Sequence, residues 1–388
     1  MNNNLLDDKI LELNSKKPNV YKKELDIING FVKIAAEERN ITYSTKKAGK
    51  MIKTELFIED QYIGGYTGMK PSTTHRSAFH LCKDKFLLEK HISQMDIPVL
   101  KSEIFYEDEK LTAKDFIEKN EEQNFVLKPL SLSGGRGIEF KVNEKNFETS
   151  WLNSMEIQKL YESKPLACII QPFIKGFDLR VTIIEGVFSA ALLRIPAHII
   201  GDGESSIAKL IDKKNEMKQN SEYFNNKLIK ISDALINILK EQQLTLDAIV
   251  DKDKVVHLSY VGNLVAGADS FDVTDEISEG LKKLAVDTVA SIPGLYSAGV
   301  DIMAYDFTKD EGFVIEVNTN PNNRMHELPL RGQQQSPAKD YINSLIINYK
   351  ILNNLSLSNE ELQVNNEYQK FLKLKSDFAV KYFEYNKD

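Results

Sequence analysis

The chain has 388 residues, of which 42% are hydrophobic and 28% charged, and its formal net charge is −7. This length allows a large core divided between two or three lobes, and the acidic balance argues against a nucleic-acid-binding protein, which is usually basic. No apolar run approaches the roughly 20 residues that span a bilayer, so no membrane partner is expected. The opening residues lack a secretory signal, and the cysteines, Cys82 and Cys168, form no CxxC pattern. We therefore expect a cytoplasmic protein with reduced thiols.

The first 80 residues predict a short mixed region. Apolar residues at helical spacing favour a helix over residues 24–40. Strand-like pieces follow at residues 41–45 and 54–68, the second with a Gly-Gly turn signal. A helix is then expected to begin near Thr73 and to continue to residue 95.

The rest of the chain alternates helices with antiparallel hairpins rather than regular βαβ units, which predicts an α+β fold. The expected strand segments are residues 96–108, 124–142, 166–174, 177–197, 255–275 and 297–321. The expected helices are residues 111–123, 205–220, 233–243 and 277–292, with a helix-rich tail over 357–388.

The stretch GFVIEVNTNPNN, residues 312–323, carries polar side chains at the end of an apolar strand. Because strand side chains alternate between faces, Glu316 and Asn318 are expected on one face. A turn at residues 309–312 would pair this strand with AGVDIMAYDF and bring Asp301 beside them. Carboxylate and amide oxygens are the ligands that Mg²⁺ prefers. The hairpin alone is consistent with a metal site and equally with a satisfied buried polar cluster.

The stretch LKPLSLSGGRGIEF places Lys128 at a strand end, before a loop with three glycines and two serines at residues 131–137. Glycine lets backbone N–H groups converge on one anion, although in a P-loop the lysine follows the glycines. A phosphate-binding loop and a plain hairpin loop both fit. Lys85, at the start of an amphipathic helix, is either a second phosphate contact or a solvated lysine.

The stretch QPFIKGFDLRVTII, residues 171–184, is strongly β-prone, and an extended backbone beside apolar side chains can bind a purine edge. The candidates for that edge are Gln171, Phe173 and Ile174. The carboxylate of Asp178 could then hold ribose hydroxyls. Arg180 and Arg194 lie on strand-like segments, where a buried cation needs an anionic partner. Ordinary salt bridges are the alternative for each arginine.

Together these motifs follow the order and rough spacing of the ATP-grasp superfamily, and the chain resembles ATP-grasp carboxylate–amine ligases. Within that family it looks most like the ATP-grasp modules of cyanophycin synthetase and bifunctional glutathione synthetase. The stretches that carry this closer resemblance are residues 193–215, 261–277 and 318–332. The resemblance covers roughly residues 75–345 and implies an ATP-grasp fold of two α+β subdomains that grip ATP. The implied segments are an N-terminal α/β pre-ATP-grasp region at 1–80, the ATP-grasp domain at 81–345 and a helical extension at 346–388.

The resemblance also implies roles for individual residues. The ATP phosphates, and the flexible loop that closes over them, would involve Lys85, Lys128, Ser133, Gly134 and Gly135. The adenine and ribose would be held by Gln171, Phe173, Ile174 and Asp178. One or two Mg²⁺ ions, or Mn²⁺, would be bound by Asp301, Glu316 and Asn318. The catalytic set would be Arg180 and Arg194, near the γ-phosphate and the acyl-phosphate, and Asn263, which would line the acceptor side with residues 320–326.

The implied reaction joins a carboxylate to an amine through an acyl-phosphate and releases ADP and phosphate. The expected substrates are an amino acid or a small peptide. His198 and His326 are candidates for substrate contact, and a structural role is equally consistent with each. A homodimer is one possible assembly, since dimers are common among homo-oligomers.

The chain departs from both relatives in three ways. Cyanophycin synthetase carries a Mur-ligase-like part after its ATP-grasp module, and we expect none here. Bifunctional glutathione synthetase carries a glutamate–cysteine ligase part before its module, for which residues 1–80 are expected to be too short. In the relatives we expect an arginine just before the stretch that here reads SYVGN, where this chain has Leu258 and Ser259. This predicts that a contact to an acidic substrate is missing and that another amino acid or small peptide is used. A ligase that modifies a protein or ribosomal peptide, and a non-catalytic ATP-binding regulator of synapsin type, are the alternative functions.

Overall fold

The computed structural model describes residues 4–22, 30–120, 123–132 and 134–385. The helices are α1 (Asn4–Ser15), α2 (Gly30–Glu37), α3 (Arg76–Lys83), α4 (Lys85–Gln94), α5 (Lys110–Glu118), α6 (Phe147–Leu160), α7 (Ile207–Gln219), α8 (Asp233–Glu241), α9 (Glu279–Ser291), α10 (Arg324–Glu327), α11 (Pro337–Leu352) and α12 (Asn359–Tyr385). The strands are β1 (Thr42–Ala48), β2 (Met51–Ile58), β3 (Gln61–Thr67), β4 (Lys70–Pro71), β5 (Glu103–Tyr106), β6 (Phe125–Pro129), β7 (Glu139–Val142), β8 (Ala167–Pro172), β9 (Phe177–Ile184), β10 (Val187–Ile195), β11 (His198–Ile200), β12 (Val255–His257), β13 (Asp269–Asp272), β14 (Ala298–Ala304) and β15 (Phe313–Asn318). None of the helices in this described part of the chain is long and apolar enough to cross a membrane.

The N-terminal region contains an antiparallel meander in the order β1-β2-β3-β4. Helices α2 and α11 pack together, and α11 also packs on β3, although α11 comes some 270 residues later in the chain. Tyr66 and Tyr341 meet edge to face at the centre of this core, with ring centroids 4.4 Å apart. The first half of the helix predicted over residues 24–40 lies largely outside the described residues, and its second half is α2.

A small lobe follows, in which an antiparallel sheet in the order β5-β8-β6-β7 packs against α5 and α6. Helix α6 is absent from the sequence-based predictions. Its apolar residues Phe147, Trp151 and Met155 recur at every fourth position and are all buried. This is the helical spacing that could have revealed it.

A larger lobe contains a sheet of five strands in the order β13-β10-β9-β14-β15, all antiparallel. One face of this sheet packs on α9 and forms the main core through apolar side chains such as Leu179, Val181 and Val300. Strand side chains alternate, so the intervening residues of the same strands point to the opposite face. That second face carries the candidate site.

The helix predicted from Thr73 to residue 95 is divided in two at Asp84. Asp84 has an extended backbone, and its side chain accepts a hydrogen bond from the backbone N–H of Leu87 at 2.9 Å. An aspartate in this position caps the first turn of a helix. Lys85 is therefore the first residue of α4, at a helix start as the sequence predicted.

The C-terminal helix α12 packs along α9 rather than projecting from the molecule. Phe371 is 1% exposed and contacts the ring of Tyr296. The ammonium group of Lys375 donates to the carbonyl oxygens of Ile292 at 2.6 Å and Leu295 at 3.0 Å, and to two more at the end of α9. Cations at a helix C-terminus satisfy carbonyl groups that have no partner within the helix.

Candidate active site

One face of the five-stranded sheet gathers charged side chains from four neighbouring strands. Asp178 and Arg180 on β9 share this face because they are two residues apart. Arg194 on β10 pairs with Asp178, and Asp301 on β14 pairs with Arg180. Glu316 on β15 lies directly opposite Asp301. Residues opposite each other on paired strands point the same way, so the pairing brings all five together.

Two arginines and two aspartates form a continuous ion network on this face. The guanidinium of Arg180 donates through Nε to Asp301 Oδ1 at 2.5 Å and through Nη2 to Oδ2 at 3.2 Å. Arg194 Nη2 donates to Asp178 Oδ1 at 2.5 Å and lies 3.3 Å from Asp301 Oδ2. Burial alone would raise the pKa of Asp301, but the charges of Arg180 and Arg194 hold it below its ordinary value. Asp301 is therefore ionised at neutral pH, and the buried cations have the anionic partners that they require.

The three residues predicted to bind metal lie together. Asn318 pairs with Gly299, and its Nδ2 lies 3.4 Å from Asp301 Oδ2. A β-bulge between Val314 and Glu316 leaves Ile315 without an opposite residue, which lets Val314 and Val317 both face the core. Glu316 and Asn318 thus keep a common face at the half-buried end of β15.

This donor set suits a hard cation. Within the described residues, no group of three or more His, Cys, Asp or Glu side chains is arranged to hold a metal ion. The candidate ligands are instead two carboxylates and one amide, which match the oxygen chemistry of Mg²⁺. Glu316 forms no ion pair with a cation in the described part of the chain, so its carboxylate could serve as a ligand, whereas Asp301 already binds two arginines.

Two lysines approach this face from the small lobe and from α4. Lys85 Nζ donates to the carbonyl oxygen of Leu132 at 2.8 Å, and Lys128 Nζ donates to Gln171 Oε1 at 2.9 Å. Burial and, after it, the charge of Lys85 lower the pKa of Lys128 to about 8, although the charges of Glu89 and Glu316 act in the opposite direction. Burial lowers the pKa of Lys85 as well, again opposed by Glu316. The two ammonium groups therefore lie near each other and near Glu316.

The glycine-rich loop contacts the large lobe through Asn263. Gly134, Gly135 and Gly137 have φ values of 72°, 80° and 67°, which residues with a Cβ rarely adopt. Asn263 Nδ2 donates to the carbonyl oxygen of Gly134 at 3.2 Å, while its Oδ1 accepts from the backbone N–H of Val265 at 3.0 Å. The predicted loop residue Ser133 lies outside the described residues.

The predicted adenine residues have different surroundings. The side chain of Gln171 is 4% exposed, and its Nε2 donates to the carbonyl oxygen of Leu100 at 2.8 Å and to Ser102 Oγ at 3.0 Å. These contacts fix the side chain of Gln171, and its hydrogen bond to Lys128 then positions the ammonium group of that lysine. Phe173 and Ile174 are half-buried after the end of β8, where side chains remain available to a planar ring.

An aromatic cluster lies beside Phe173 and joins the two lobes. Phe173 contacts Phe140 of β7 with ring centroids 6.4 Å apart, and both contact Tyr260 of the large lobe at 6.3 Å and 5.9 Å. The hydroxyl of Tyr260 donates to Glu241 at 2.7 Å. Aromatic rings thus connect the sheet of the small lobe to the segment that follows β12.

Residues 320–326, which are predicted to line the acceptor side, cover part of the same sheet face. Met325 packs on Leu192, and His326 Nε2 lies 2.8 Å from Thr182 Oγ1. Asn320 accepts from the backbone N–H of Met69 at 3.0 Å, which ties this segment to the N-terminal sheet.

Comparison with known proteins identifies the family of this chain. A family model described as an ATP-grasp domain matches residues 82–323, which is more than half of the chain. The chain belongs to the ATP-grasp family. The predicted resemblance and the predicted fold class are thereby confirmed.

Individual relatives of this ATP-grasp chain are longer proteins. A cyanophycin synthetase from Crocosphaera subtropica is 32% identical over 322 residues, covering 80% of this chain and 35% of that protein. A glutathione biosynthesis bifunctional protein from Pasteurella multocida is 31% identical over 315 residues, covering 76% of this chain and 41% of that protein. The solved structure of a bifunctional glutathione synthetase from P. multocida superimposes with a TM-score of 0.58 at 24% identity, over 83% of this chain and 43% of that one. The chain spans less than half of the length of each.

The structure of this ATP-grasp chain adds a residue that sequence reasoning missed. Glu89 accepts from the backbone N–H of Ser102 at 2.7 Å and from its hydroxyl at 2.5 Å. Glu89 also lies 3.4 Å from Gln171 Nε2 and raises the pKa of Lys128. Its position four residues after Lys85 on α4 places both on one helix face, and that spacing was the available signal.

Both histidines singled out in the sequence are buried. His198 is 0% and His326 1% exposed, and burial lowers the pKa of each to about 3. His198 Nδ1 lies 2.8 Å from the carbonyl oxygen of Pro196. Both are therefore neutral at pH 7, and His198 has a structural role among buried charges that include Lys214 and Asp269.

Proposed function

We propose that this chain is an ATP-dependent ligase that forms an amide bond between a carboxylate and an amine. One observation carries the proposal. The ion network of Arg180, Arg194 and Asp301 shares a sheet face with the carboxylate of Glu316. That carboxylate forms no ion pair within the described residues, and its charge acts on half-buried Lys85 and buried Lys128. Such an arrangement suits a polyanionic substrate that develops further charge during reaction.

In the proposed reaction a carboxylate oxygen attacks the γ-phosphorus of ATP, and the bond from that phosphorus to the β-γ bridging oxygen breaks. ADP leaves with the electron pair, and an acyl-phosphate remains. The amine nitrogen then attacks the acyl carbon, and phosphate leaves with the electrons of the carbon–oxygen bond. The nitrogen loses a proton to solvent or to the departing phosphate, which leaves an amide.

The chain's own residues mainly position the reactants and neutralise charge. Lys85 and Lys128 would bind phosphate oxygens, and Glu89 with Gln171 would hold Lys128 in place. Arg180 and Arg194 would face the γ-phosphoryl group and the acyl-phosphate, with Asp178 and Asp301 fixing their planes. Asp301, Glu316 and Asn318 would hold Mg²⁺, which when bound supplies further neutralisation of phosphate charge.

Water must be excluded, because it would hydrolyse an acyl-phosphate. The glycine-rich loop, including Ser133, Gly134 and Gly135, would close over the phosphates, and Asn263 would hold it closed through its bond to Gly134. Phe173 and Ile174 would frame the adenine, while Asp178 would also be available to the ribose. We further propose that residues 1–80, 81–345 and 346–388 form the pre-ATP-grasp, ATP-grasp and C-terminal segments.

The test is ADP and phosphate release from Mg·ATP with pooled amino acids and dipeptides, followed by mass spectrometry of the mixture. A new mass equal to two substrates minus water, formed together with ADP, is the expected result. ATP binding without ADP release in any pool would contradict the small-molecule ligase and would favour a protein acceptor or a regulator without turnover.

A further inference from the structure

Strand β1 forms one edge of the N-terminal sheet, and the proposed chemistry makes no use of it. The strand order is β1-β2-β3-β4, so β1 pairs with β2 on one side. On its other side no described segment pairs with it, and five of its seven residues are exposed. An open strand edge is a template on which another strand can pair.

The hairpin between β1 and β2 decides which backbone groups of β1 point outward. Ala48 pairs with Met51 across a two-residue loop, and the register continues to the start of the strand without a bulge. In such a hairpin the pair that flanks the loop exchanges both hydrogen bonds, and every second pair after it does the same. The N–H and C=O groups of Tyr43, Thr45 and Lys47 therefore point away from β2. No backbone hydrogen bond joins them to another described segment.

These outward groups fit a second copy of β1 that runs in the antiparallel direction. With a two-fold axis at Thr45, this residue lies opposite itself, and Tyr43 lies opposite Lys47 of the other copy. Each outward residue then faces another outward residue, so every facing pair can exchange both of its hydrogen bonds. A register displaced by one residue would set outward groups against inward ones. The edge is therefore complementary to itself about a two-fold axis, the commonest symmetry of homo-oligomers.

The charges along this edge are complementary in the same arrangement. The lysines Lys46, Lys47 and Lys50 are exposed at the end of β1 and in the turn that follows it. The carboxylates of Glu37 and Glu38 are exposed at the end of α2, shortly before β1 begins. Antiparallel pairing brings the basic end of one copy beside the acidic end of the other. Opposite charges placed in this way favour association and specify its register.

Tyr43 marks the place where the two ends would meet. Its hydroxyl donates to Glu37 Oε1 at 2.9 Å, and Lys33 Nζ lies 5.7 Å from the centre of its ring. Lys47 of the second copy would lie directly opposite this tyrosine, within reach of the Glu37 carboxylate. Glu37 forms no ion pair within the described part of the chain, so it can accept that lysine.

Lysines on an edge strand often prevent pairing, because like charges would meet across the new interface. In the two-fold register they do not meet. Lys47 faces Tyr43 of the other copy, and Lys46 faces Ser44. Lys46 also has an anionic partner within its own sheet, since its Nζ lies 2.9 Å from Glu55 Oε2. The lysines therefore permit this register while they disfavour those that set them against each other.

We propose that β1 is a homodimer interface, through which two copies of this chain join their N-terminal sheets into one continuous antiparallel sheet. The backbone groups of Tyr43, Thr45 and Lys47 would form the new hydrogen bonds, and Lys47 would pair with Glu37 of the other copy. This inference is independent of the proposed ligase function, because none of these residues belongs to the proposed catalytic machinery.

The first experiment measures the mass of the full chain in solution, by light scattering and sedimentation over a dilution series. The unaltered chain is expected to dimerise. Thr45→Pro removes an outward N–H and leaves the bonds to β2 in place, and proline is tolerated on edge strands. It should weaken dimerisation about tenfold or more. The matched control Thr45→Val keeps the N–H and the strand propensity and should leave the dimer unchanged.

A charge exchange tests the register without relying on proline. Lys47→Glu sets a carboxylate against Glu37 of the second copy and should weaken the dimer, as should Glu37→Lys. The double variant Lys47→Glu/Glu37→Lys should restore it, because each copy again meets an opposite charge. Both side chains are exposed, so the fold should be kept in all of these variants, which circular dichroism checks.

A monomer at every concentration would overturn the proposal. A dimer that Thr45→Pro, Lys47→Glu and Glu37→Lys all leave intact would also overturn it, since another face would then form that dimer. A monomer that binds a polyglutamate peptide, with binding lost in Thr45→Pro, would overturn the second copy as the occupant and assign the edge to an acidic extended partner.

Discussion

Asp301 on β14 lies directly opposite Arg180 on β9, and the two side chains form a buried bidentate ion pair. Arg194 completes the group from the next strand along the sheet. One carboxylate thus orders two guanidinium groups and also belongs to the proposed metal site. The stability of the sheet and the proposed chemistry depend on the same side chain.

The variants Asp301→Ala and Glu316→Ala should separate the contribution to sheet stability from the contribution to metal binding. Asp301→Ala leaves two buried arginines with one remaining carboxylate, which should cost about 3–5 kcal/mol of unfolding free energy and abolish turnover. Glu316→Ala removes a carboxylate that has no cation partner among the described residues. It should abolish turnover and weaken Mg·ATP binding with little loss of stability. Urea denaturation and ADP release measure the two effects, and a fully active Glu316→Ala protein would refute the metal assignment.

Binding of ATP should weaken as the pH rises through about 8. Burial lowers the pKa of Lys128 to about 8, so this lysine loses its charge in the free protein well before an exposed lysine would. The dissociation constant for a non-hydrolysable ATP analogue, measured from pH 6.5 to 9.5, should report this loss.

Lys128→Arg provides the control for that pH dependence, since arginine stays charged throughout the range. The variant should bind the analogue with a flatter pH profile. The free energy of unfolding should change with pH in the opposite direction from the affinity for ATP. The unfolded chain keeps the proton on Lys128 up to about pH 10.4, so unfolding free energy should rise between about pH 8 and that value. An unchanged pH profile in Lys128→Arg would exclude Lys128 as the titrating group.

Asn263 offers a test of the glycine-rich loop. Asn263→Asp keeps the oxygen that accepts from Val265 but loses the N–H that donates to Gly134. We expect the loop to open more often, so that ADP release exceeds amide formation by several-fold while the chain remains folded. Quantifying ADP and amide in the same reaction checks this. Equal amounts of both products, as in the unaltered protein, would show that the contact does not hold the loop.

Lys375 should stabilise the fold without affecting chemistry. Its ammonium group donates to four carbonyl oxygens around the end of α9. Lys375→Met removes these four hydrogen bonds, although the carbonyls of Val289 and Ile292 keep a backbone N–H partner, and it should cost about 1.5–3 kcal/mol of unfolding free energy. Lys373→Met on the same helix is the control, because Lys373 is exposed. Thermal and urea denaturation measure the difference, and equal stability of the two variants would contradict the capping role.

Local sequence pattern was enough to predict most strands and several features of the site. Two-residue alternation placed Glu316 and Asn318 on one face, and the predicted hairpin brought them beside Asp301, although the turn lies at residues 306–309 rather than 309–312. Both predictions depend only on neighbouring residues and on strand geometry, which sequence spacing encodes. The β-bulge at Ile315 was not predicted, because it depends on the pairing with β14 and not on the strand's own composition.

Tertiary structure alone decided which charges meet. Arg180, Arg194 and Asp301 come from three strands, so their ion network follows from strand order, which no local pattern contains. The contact between Tyr66 and Tyr341 likewise depends on packing between segments more than 250 residues apart. The sequence by itself indicated candidate side chains for phosphate, metal and nucleotide, because residue types, short spacings and the order of the motifs are all local to the chain. Whether those side chains face one another was decided by the folded chain, because long-range contacts arise from the packing of whole lobes.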